Sequence, residues 1–300
     1  MPSVTRQTPK TTPTPTLPSN QQRLQTGGRT KGGTVLDRIA SIGFADNEGI
    51  KVLLYGKSGT GKTTLSATFP RPILWVVCSG SSRPGELRSI NTPENRKTIQ
   101  QVILEKAEEL QTITEFQKSQ LKFNTLVLDH VTGLQDLVLK EVLGVEELPV
   151  QKSWGMATQQ QYGTTAQRSK ELMRGLLSLD CNVVVIAQER EYNTDGTGEV
   201  LQPFVGAALM PSLLGWLNPA VDYICQTFIK QKEETKKMTL GTGKDAKTVE
   251  TKQKIKGVDF CLRTAPDPVY ITKFRVPRKD LPEYLVDPTY DKLKALIDGQ

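Results

Sequence analysis

The sequence is poor in histidine and cysteine and has no long apolar segment. Its 300 residues include one histidine and four cysteines, and no two cysteines form a C-x-x-C pair. A zinc site needs several such ligands at close spacing, so the sequence excludes one. No run approaches the roughly eighteen apolar residues of a membrane helix, and residues 1–16 lack an apolar signal region. We therefore expect a cytoplasmic protein with reduced, buried thiols at Cys78, Cys181, Cys225 and Cys261.

Positive charge is present but unevenly spread. The formal net charge is +7, from 39 basic and 32 acidic residues. Residues 1–33 contribute +5, and residues 229–257, which hold nine lysines, contribute another +5, so that the rest of the chain sums to −3. Two polar cationic segments beside a mildly acidic body suit an anionic polymer as partner, although solvated segments of this kind are also common.

Composition divides the chain into a tail, a body and a short extension. Residues 1–33 are rich in Thr, Pro, Gln and Gly, which predicts a disordered basic tail. From residue 34 short β-branched runs alternate with helical patterns, which predicts an α/β domain over residues 34–280 with a mainly parallel central sheet. Within it, residues 230–257 are interpreted as a lysine-rich insertion. Residues 281–300 are predicted to form a C-terminal helical extension.

Several segments carry a definite secondary-structure pattern. The predicted strands are residues 51–55, 73–78, 125–129, 182–187 and 221–229. Helices are predicted over residues 93–111, 161–179 and 290–297. Residues 258–263 and 269–274 are predicted to pair as a C-terminal β-hairpin.

A glycine-rich segment carries the clearest functional signal. Gly56-Lys57-Ser58-Gly59-Thr60-Gly61-Lys62-Thr63 matches G-x-x-x-x-G-K-[ST] in full, and Thr64 follows it. The glycines let backbone N–H groups turn inward and cradle phosphate oxygens. We expect residues 56–64 to bind ATP, with Lys62 reaching the β- and γ-phosphates and the Thr63 hydroxyl coordinating Mg²⁺. A structural glycine turn is the alternative.

Polar residues directly follow two of the predicted strands. Asp129 ends an apolar strand 66 residues beyond Thr63, where a carboxylate that holds the magnesium shell belongs; a helix N-cap is the alternative. His130 is interpreted as structural more readily than as a phosphate sensor or proton-transfer group. Gln188 follows the strand 182–187, where its amide can meet the γ-phosphate, unless it is an ordinary polar residue at a strand end.

Two cations end a late strand on the same side. Lys273 and Arg275 can reach the γ-phosphate of a neighbouring subunit and stabilise the charge that develops during phosphoryl transfer. The alternative is a basic edge strand that avoids aggregation.

Together these residues resemble the RecA-like ATPase core, in particular phage RecA-like AAA-domain proteins linked to single-strand annealing recombination. The resemblance covers about residues 36–280 and rests on residues 51–65, 125–129, 154–155, 183–188 and 273–275. It implies an oligomeric ring or filament that uses Mg-ATP to bind single-stranded DNA in the cytoplasm of a bacterial host. It also implies DNA contact by residues 144–161 and 189–205. Those two segments contain Lys152, Trp154, Arg190 and Tyr192, whose rings can stack on bases or serve as packing anchors.

One departure from that family bears on catalysis. Its members usually carry a glutamate at the end of the strand after the phosphate loop, whereas here that strand ends Val77-Cys78-Ser79-Gly80 and the nearest carboxylate is Glu86. Either Glu86 reaches back, or ATP turnover is weak. In the second case the protein is a nucleotide-gated, non-hydrolysing adaptor for a single-strand-binding or annealing protein. A metabolic kinase is disfavoured because no lid-like arginine cluster is present.

Overall fold

The computed structural model describes residues 49–78, 87–146, 148, 157–194, 200–240, 247–276 and 280–299. The strands within them are β1 (Lys51–Gly56), β2 (Ile73–Val77), β3 (Ile99–Ile103), β4 (Thr125–Asp129), β5 (Asn182–Thr194), β6 (Val200–Ala207), β7 (Tyr223–Leu240), β8 (Lys247–Arg263), β9 (Lys273–Phe274) and β10 (Tyr284–Val286). The helices are α1 (Lys62–Ser66), α2 (Asn95–Thr98), α3 (Glu109–Gln120), α4 (Val131–Leu143), α5 (Gln159–Leu177), α6 (Pro211–Ala220) and α7 (Tyr290–Ile297).

The central sheet has the strand order β10-β8-β7-β1-β5-β4-β2-β3, with β6 paired to β5 and β9 paired to β7. The six strands from β7 to β3 run parallel, and β8 and β10 are antiparallel to their neighbours. The predicted mainly parallel α/β fold is therefore confirmed. Because β1 lies between β5 and β7, the register places Gln188 on one side of Gly56 and Thr227 on the other.

Both faces of the central strands are buried, which explains their continuous apolar runs. On β1, Leu53 and Tyr55 belong to the core under α4, α5 and α6, whereas Val52 and Leu54 belong to the core under α1 and α7. The C-terminal helix α7 contributes Leu293 and Leu296 to that second core.

All four cysteines are buried, as predicted, and burial raises the pKa of the Cys225 thiol. Among the residues that the structure describes, no helix combines the length and apolarity needed to cross a bilayer.

The helix predicted over residues 93–111 is wrong in its middle part. Within the predicted range, residues 95–98 (α2) and 109–111 (the start of α3) are helical, whereas Ile99–Ile103 forms β3, parallel to β2 at the edge of the sheet. The helix of this region, α3, begins at Glu109 instead. The β-branched residues of β3 favour a strand. Their spacing is also close to the helical period of about 3.6 residues, so the sequence pattern alone predicts a helix.

The predicted pairing of the C-terminal hairpin is also corrected. Residues 258–263 pair with β7 and, at Cys261–Arg263, with β10, while β9 pairs with β7 at Tyr223 and Ile224. The long hairpin of this region joins β7 to β8, and the lysine-rich residues 230–257 form much of its two strands. A register shift divides β7 between Gln231 and Glu233.

Candidate nucleotide-binding site

The glycine-rich segment lies between β1 and α1, which is the strand–loop–helix context that its motif requires. Gly61 precedes the first residue of α1 with φ +90°, a left-handed conformation that favours glycine. At Gly56 the constraint is steric, because a Cβ atom would lie 2.3 Å from the carbonyl oxygen of Thr227. The sequence thus fixes a tight loop at the carboxyl end of the central strand.

The β7–β8 hairpin holds this loop from one side. The hydroxyl oxygens of Thr60 and Thr227 lie 2.6 Å apart, and both side chains are buried. On β8 the ring of Phe260 packs against Gly61, where an added Cβ atom would lie 3.2 Å from its Cδ1 atom. Both contacts tie the loop to the hairpin.

Lys62 extends along the loop that it follows. Its Nζ atom donates to the carbonyl oxygens of Gly56, at 2.8 Å, and Lys57, at 2.7 Å. Burial lowers the pKa of the ammonium group, and the negative charges of Asp129 and Glu189 partly oppose that shift. A partly desolvated cation with neutral carbonyl partners can exchange those partners for phosphate oxygens.

Asp129 is a buried carboxylate, 7% exposed, at the carboxyl end of β4. Its Oδ2 atom accepts a hydrogen bond from Nε1 of Trp75 at 3.1 Å. This carboxylate and the Thr63 hydroxyl supply hard oxygen donors, which fit Mg²⁺ when nucleotide phosphates and water complete the shell. The described residues contain no group of three or more His, Cys, Asp or Glu that could hold a metal.

His130 forms the N-cap of α4. Its Nδ1 atom accepts a hydrogen bond from the backbone N–H of Gly133 at 2.9 Å. This hydrogen bond agrees with the interpretation of His130 as a structural residue. Gln188, by contrast, is exposed beside Gly56.

Lys273 and Arg275 lie away from the phosphate loop of their own chain. Lys273 Nζ donates to the carbonyl oxygens of Asn218, Pro219 and Val221, and Arg275 forms an ion pair of 2.8 Å with Asp222. Two cations at the C-terminal end of α6 satisfy its last carbonyl groups and oppose its dipole. Their role toward a neighbouring subunit stays a prediction.

The predicted DNA-contacting segments are only partly described. Lys152, Trp154 and Glu86 lie outside the described residues. Most of residues 189–205 forms strand rather than loop, since β5 pairs with β6 from Glu189 to Thr194.

The two predicted contact residues on β5 are both accounted for within the chain. Tyr192 is buried, stacks on Phe204 at 4.9 Å and binds the carbonyl oxygens of Ala207 and Leu209 through its hydroxyl, so it is a packing anchor. Arg190 is exposed, with its guanidinium 5.2 Å from the Tyr192 ring centroid.

Sequence reasoning missed a polar network beside the loop. Glu189 Oε2 accepts from Gln226 Nε2 at 2.8 Å, and Gln226 Oε1 accepts from Arg263 Nε at 3.1 Å. Gln226 and Arg263 belong to no motif and lie far apart in the sequence. The one available signal was Glu189 itself, a charged residue directly after the apolar part of β5.

The loop, its lysine and the carboxylate of β4 at one edge of a parallel sheet define a P-loop nucleotide-binding domain. The family model described as AAA domain matches residues 48–276, and the chain belongs to this family. Such a domain is a nucleotide-binding ATPase domain. A search of curated proteins finds no match to the chain.

Proposed function

We propose that the protein is an oligomeric Mg-ATP-dependent ATPase that acts on single-stranded DNA in phage recombination or replication. The observation that carries the ATPase part is the position of Lys62, half-buried in the glycine-rich loop and under the influence of the Asp129 carboxylate. Its cationic Nζ atom and the loop N–H groups can bind a triphosphate. Without them, the negative charge of the triphosphate would be repelled by the carboxylates of Asp129 and Glu189.

Four side chains at the site then have a defined task. Lys62 binds the β- and γ-phosphates, the Thr63 hydroxyl and Asp129 hold Mg²⁺, and Gln188 contacts the γ-phosphate from the neighbouring strand. Bound Mg²⁺ neutralises part of the charge that develops on the phosphate oxygens. The hydrogen bond from Trp75 keeps the Asp129 carboxylate oriented before nucleotide arrives.

Charge distribution supports DNA as the polymer. Residues 1–33 and 229–257 each carry +5, whereas the rest of the chain is net negative. The second segment lies largely on the β7–β8 hairpin, whose base contacts the phosphate loop through Thr227 and Phe260. Cationic segments bind phosphate backbones without sequence preference and with strong salt dependence.

ATP turnover with and without single-stranded DNA tests the proposal. The wild type is compared with Lys62→Met, which removes the cation, and with Lys118→Met, which changes an exposed lysine on α3. We expect DNA-stimulated turnover in the wild type and in Lys118→Met, and none in Lys62→Met. A wild type that fails to bind ATP would refute the proposal. ATP binding without stimulation of turnover by DNA would refute only the proposed action on single-stranded DNA.

Deletion of residues 1–33 tests the contribution of the basic tail. We expect weaker single-stranded DNA binding and a smaller slope of log affinity against log salt concentration, with the affinity for ATP unchanged. An unchanged salt slope would show that these cations do not contact the polymer.

One observation favours a second candidate, a nucleotide-gated adaptor that loads or remodels a single-strand-binding or annealing protein. The residue after β2 is Cys78, which is fully buried and carries no carboxylate. ATP-dependent co-purification with such a partner, together with negligible turnover, would favour the adaptor over the ATPase.

A further inference from the structure

Hydrolysis of ATP is accelerated by a group that orients the attacking water and accepts a proton from it. Cys78 follows β2, and burial leaves it with no access to such a water. Two carboxylates act electrostatically on Lys62, namely Asp129 and Glu189. Asp129 is assigned to Mg²⁺ and bonded to Trp75, so Glu189 is the carboxylate that the proposed chemistry has not used.

Glu189 lies on β5, beside the start of the phosphate loop. The register pairs Gln188 with Gly56 on one side of β1 and Gln226 with Tyr55 on the other. A hydrogen bond of 2.8 Å from Gln226 Nε2 to Glu189 Oε2 therefore passes over the end of β1, between its two neighbouring strands. The carboxylate is half-buried at the edge where the γ-phosphate is expected.

The orientation of Glu189 is set by a chain of fixed groups. Arg263 only donates, so its Nε atom, 3.1 Å from Gln226 Oε1, turns the Gln226 amide with its NH₂ group toward Glu189. Arg263 in turn is held by an ion pair of 2.8 Å with Asp267. Its Cζ atom lies 5.0 Å from the ring centroid of Phe228 and 4.6 Å from that of Tyr270.

This arrangement leaves Glu189 able to bind a further donor. A carboxylate accepts about four hydrogen bonds in all, so that Glu189 can take a water besides Gln226. A base that is held in one orientation before substrate binds costs no reorganisation during the reaction.

We propose that Glu189 is the general base of ATP hydrolysis, with Gln226 and Arg263 as positioning residues; this inference rests on the proposed ATPase function. Glu189 takes one proton from water while the water oxygen forms a bond to the γ-phosphorus. The bond between that phosphorus and the β–γ bridging oxygen breaks, and its electron pair leaves with ADP. The products are ADP and inorganic phosphate, and the proton passes from Glu189 to solvent.

Glu189→Gln tests the assignment, because it keeps size and hydrogen bonding but removes the base. We expect kcat to fall by about 100-fold or more, with the dissociation constant for ATP within about threefold of the wild type, a change of less than ~0.7 kcal/mol. Glu171→Gln, at an exposed position of α5, is the matched control and should keep wild-type turnover. Formate added to Glu189→Ala should restore part of the turnover, which a structural role would not allow.

The outcomes separate this inference from the function on which it rests. Wild-type turnover in Glu189→Gln would overturn Glu189 as base and leave the ATPase function intact. Loss of ATP binding in Glu189→Gln would show a binding role and overturn it as well. A wild type that binds ATP without hydrolysing it would refute both the ATPase and its base.

Gln226→Met tests the positioning chain. The variant keeps the length of the side chain but removes the donor to Glu189, so we expect a lower kcat at unchanged KM. In the Glu189→Gln background the same substitution should have no further effect, because residues that act as a unit are not additive. A lower kcat in both backgrounds by the same factor would mean that Gln226 acts independently of Glu189.

Discussion

The indole Nε1 atom of Trp75 and the carboxylate of Asp129 form a hydrogen bond of 3.1 Å between neighbouring strands. Trp75 is fully buried on β2 and pairs with Val127 in the register, two residues before Asp129 on β4. The bond therefore ties the proposed magnesium ligand to the hydrophobic core. The orientation of Asp129 depends on a residue that contacts neither nucleotide nor metal.

Trp75→Phe removes this donor and retains most of the ring. We expect the free energy of unfolding to fall by about 2–3 kcal/mol, because a hydrogen bond to a charged group is lost in the core. The Mg²⁺ concentration that half-saturates turnover should rise severalfold. Urea unfolding and a Mg²⁺ titration measure the two effects. Trp216→Phe, at a partly buried position on α6, is the control, and equal Mg²⁺ dependence in both variants would contradict the assigned role.

The hydroxyl pair of Thr60 and Thr227 predicts an energetic coupling between the phosphate loop and β7. Replacing each by Val removes a hydroxyl with little change in volume. In a double-mutant cycle measured by urea unfolding we expect a coupling free energy of about 1 kcal/mol, since the pair is buried and 2.6 Å apart. Additive single effects would show that the two hydroxyls do not interact. Hydrogen exchange of residues 57–62 should also quicken in each single variant.

Gly61→Ala places a side chain where the backbone has φ +90° and where the ring of Phe260 is in contact. The conformation alone costs about 1–2 kcal/mol for a non-glycine residue, and the loop should relax by moving its N–H groups out of position. We expect calorimetry to detect no ATP binding. Gly163→Ala on α5, with open space around it, should instead stabilise the protein by up to about 1 kcal/mol.

Lys62 is predicted to reduce the stability of the nucleotide-free protein. Burial lowers its pKa, so the unfolded chain binds the proton more tightly and stability rises with pH up to the unfolded value of 10.5. Lys62→Met should therefore unfold at a higher urea concentration than the wild type at pH 7, although it binds no ATP. The difference should shrink as the pH approaches 10.5. The exposed control Lys118→Met should show no such gain, and a less stable Lys62→Met would contradict the prediction.

The parts of the fold that the sequence predicted correctly are those with a local cause. Residues 56–63 carry their turn, their cation and their hydroxyl in one short stretch, and the apolar strands on both sides are long enough to identify. The apolar residues of Ile99–Ile103 fit both the helical and the strand period, and only pairing with β2 decides between them. Tyr192 is a similar case, since stacking on Phe204 depends on the pairing of β5 with β6.

The Glu189 network could not be predicted for a related reason. Glu189 and Gln226 are 37 residues apart, and Gln226 and Arg263 another 37. Their contact follows from a sheet order that places β5 and β7 on either side of β1 and β8 beyond β7. Strand order of this kind depends on how helices cover the sheet, which no local pattern records.

The register shift between Gln231 and Glu233 has a consequence for variation in this hairpin. On one side of it, residues 226–231 pair with residues 258–263 and hold the phosphate loop through Thr227 and Phe260. On the other side, residues 233–240 and 247–254 pair with each other. In this outer part of the hairpin, insertions and deletions leave the nucleotide site unchanged when two residues are added to, or removed from, each strand at opposed positions. Two residues are needed because side chains of a strand alternate between its faces. The hairpin can thus differ in reach among homologous chains while its base stays constant.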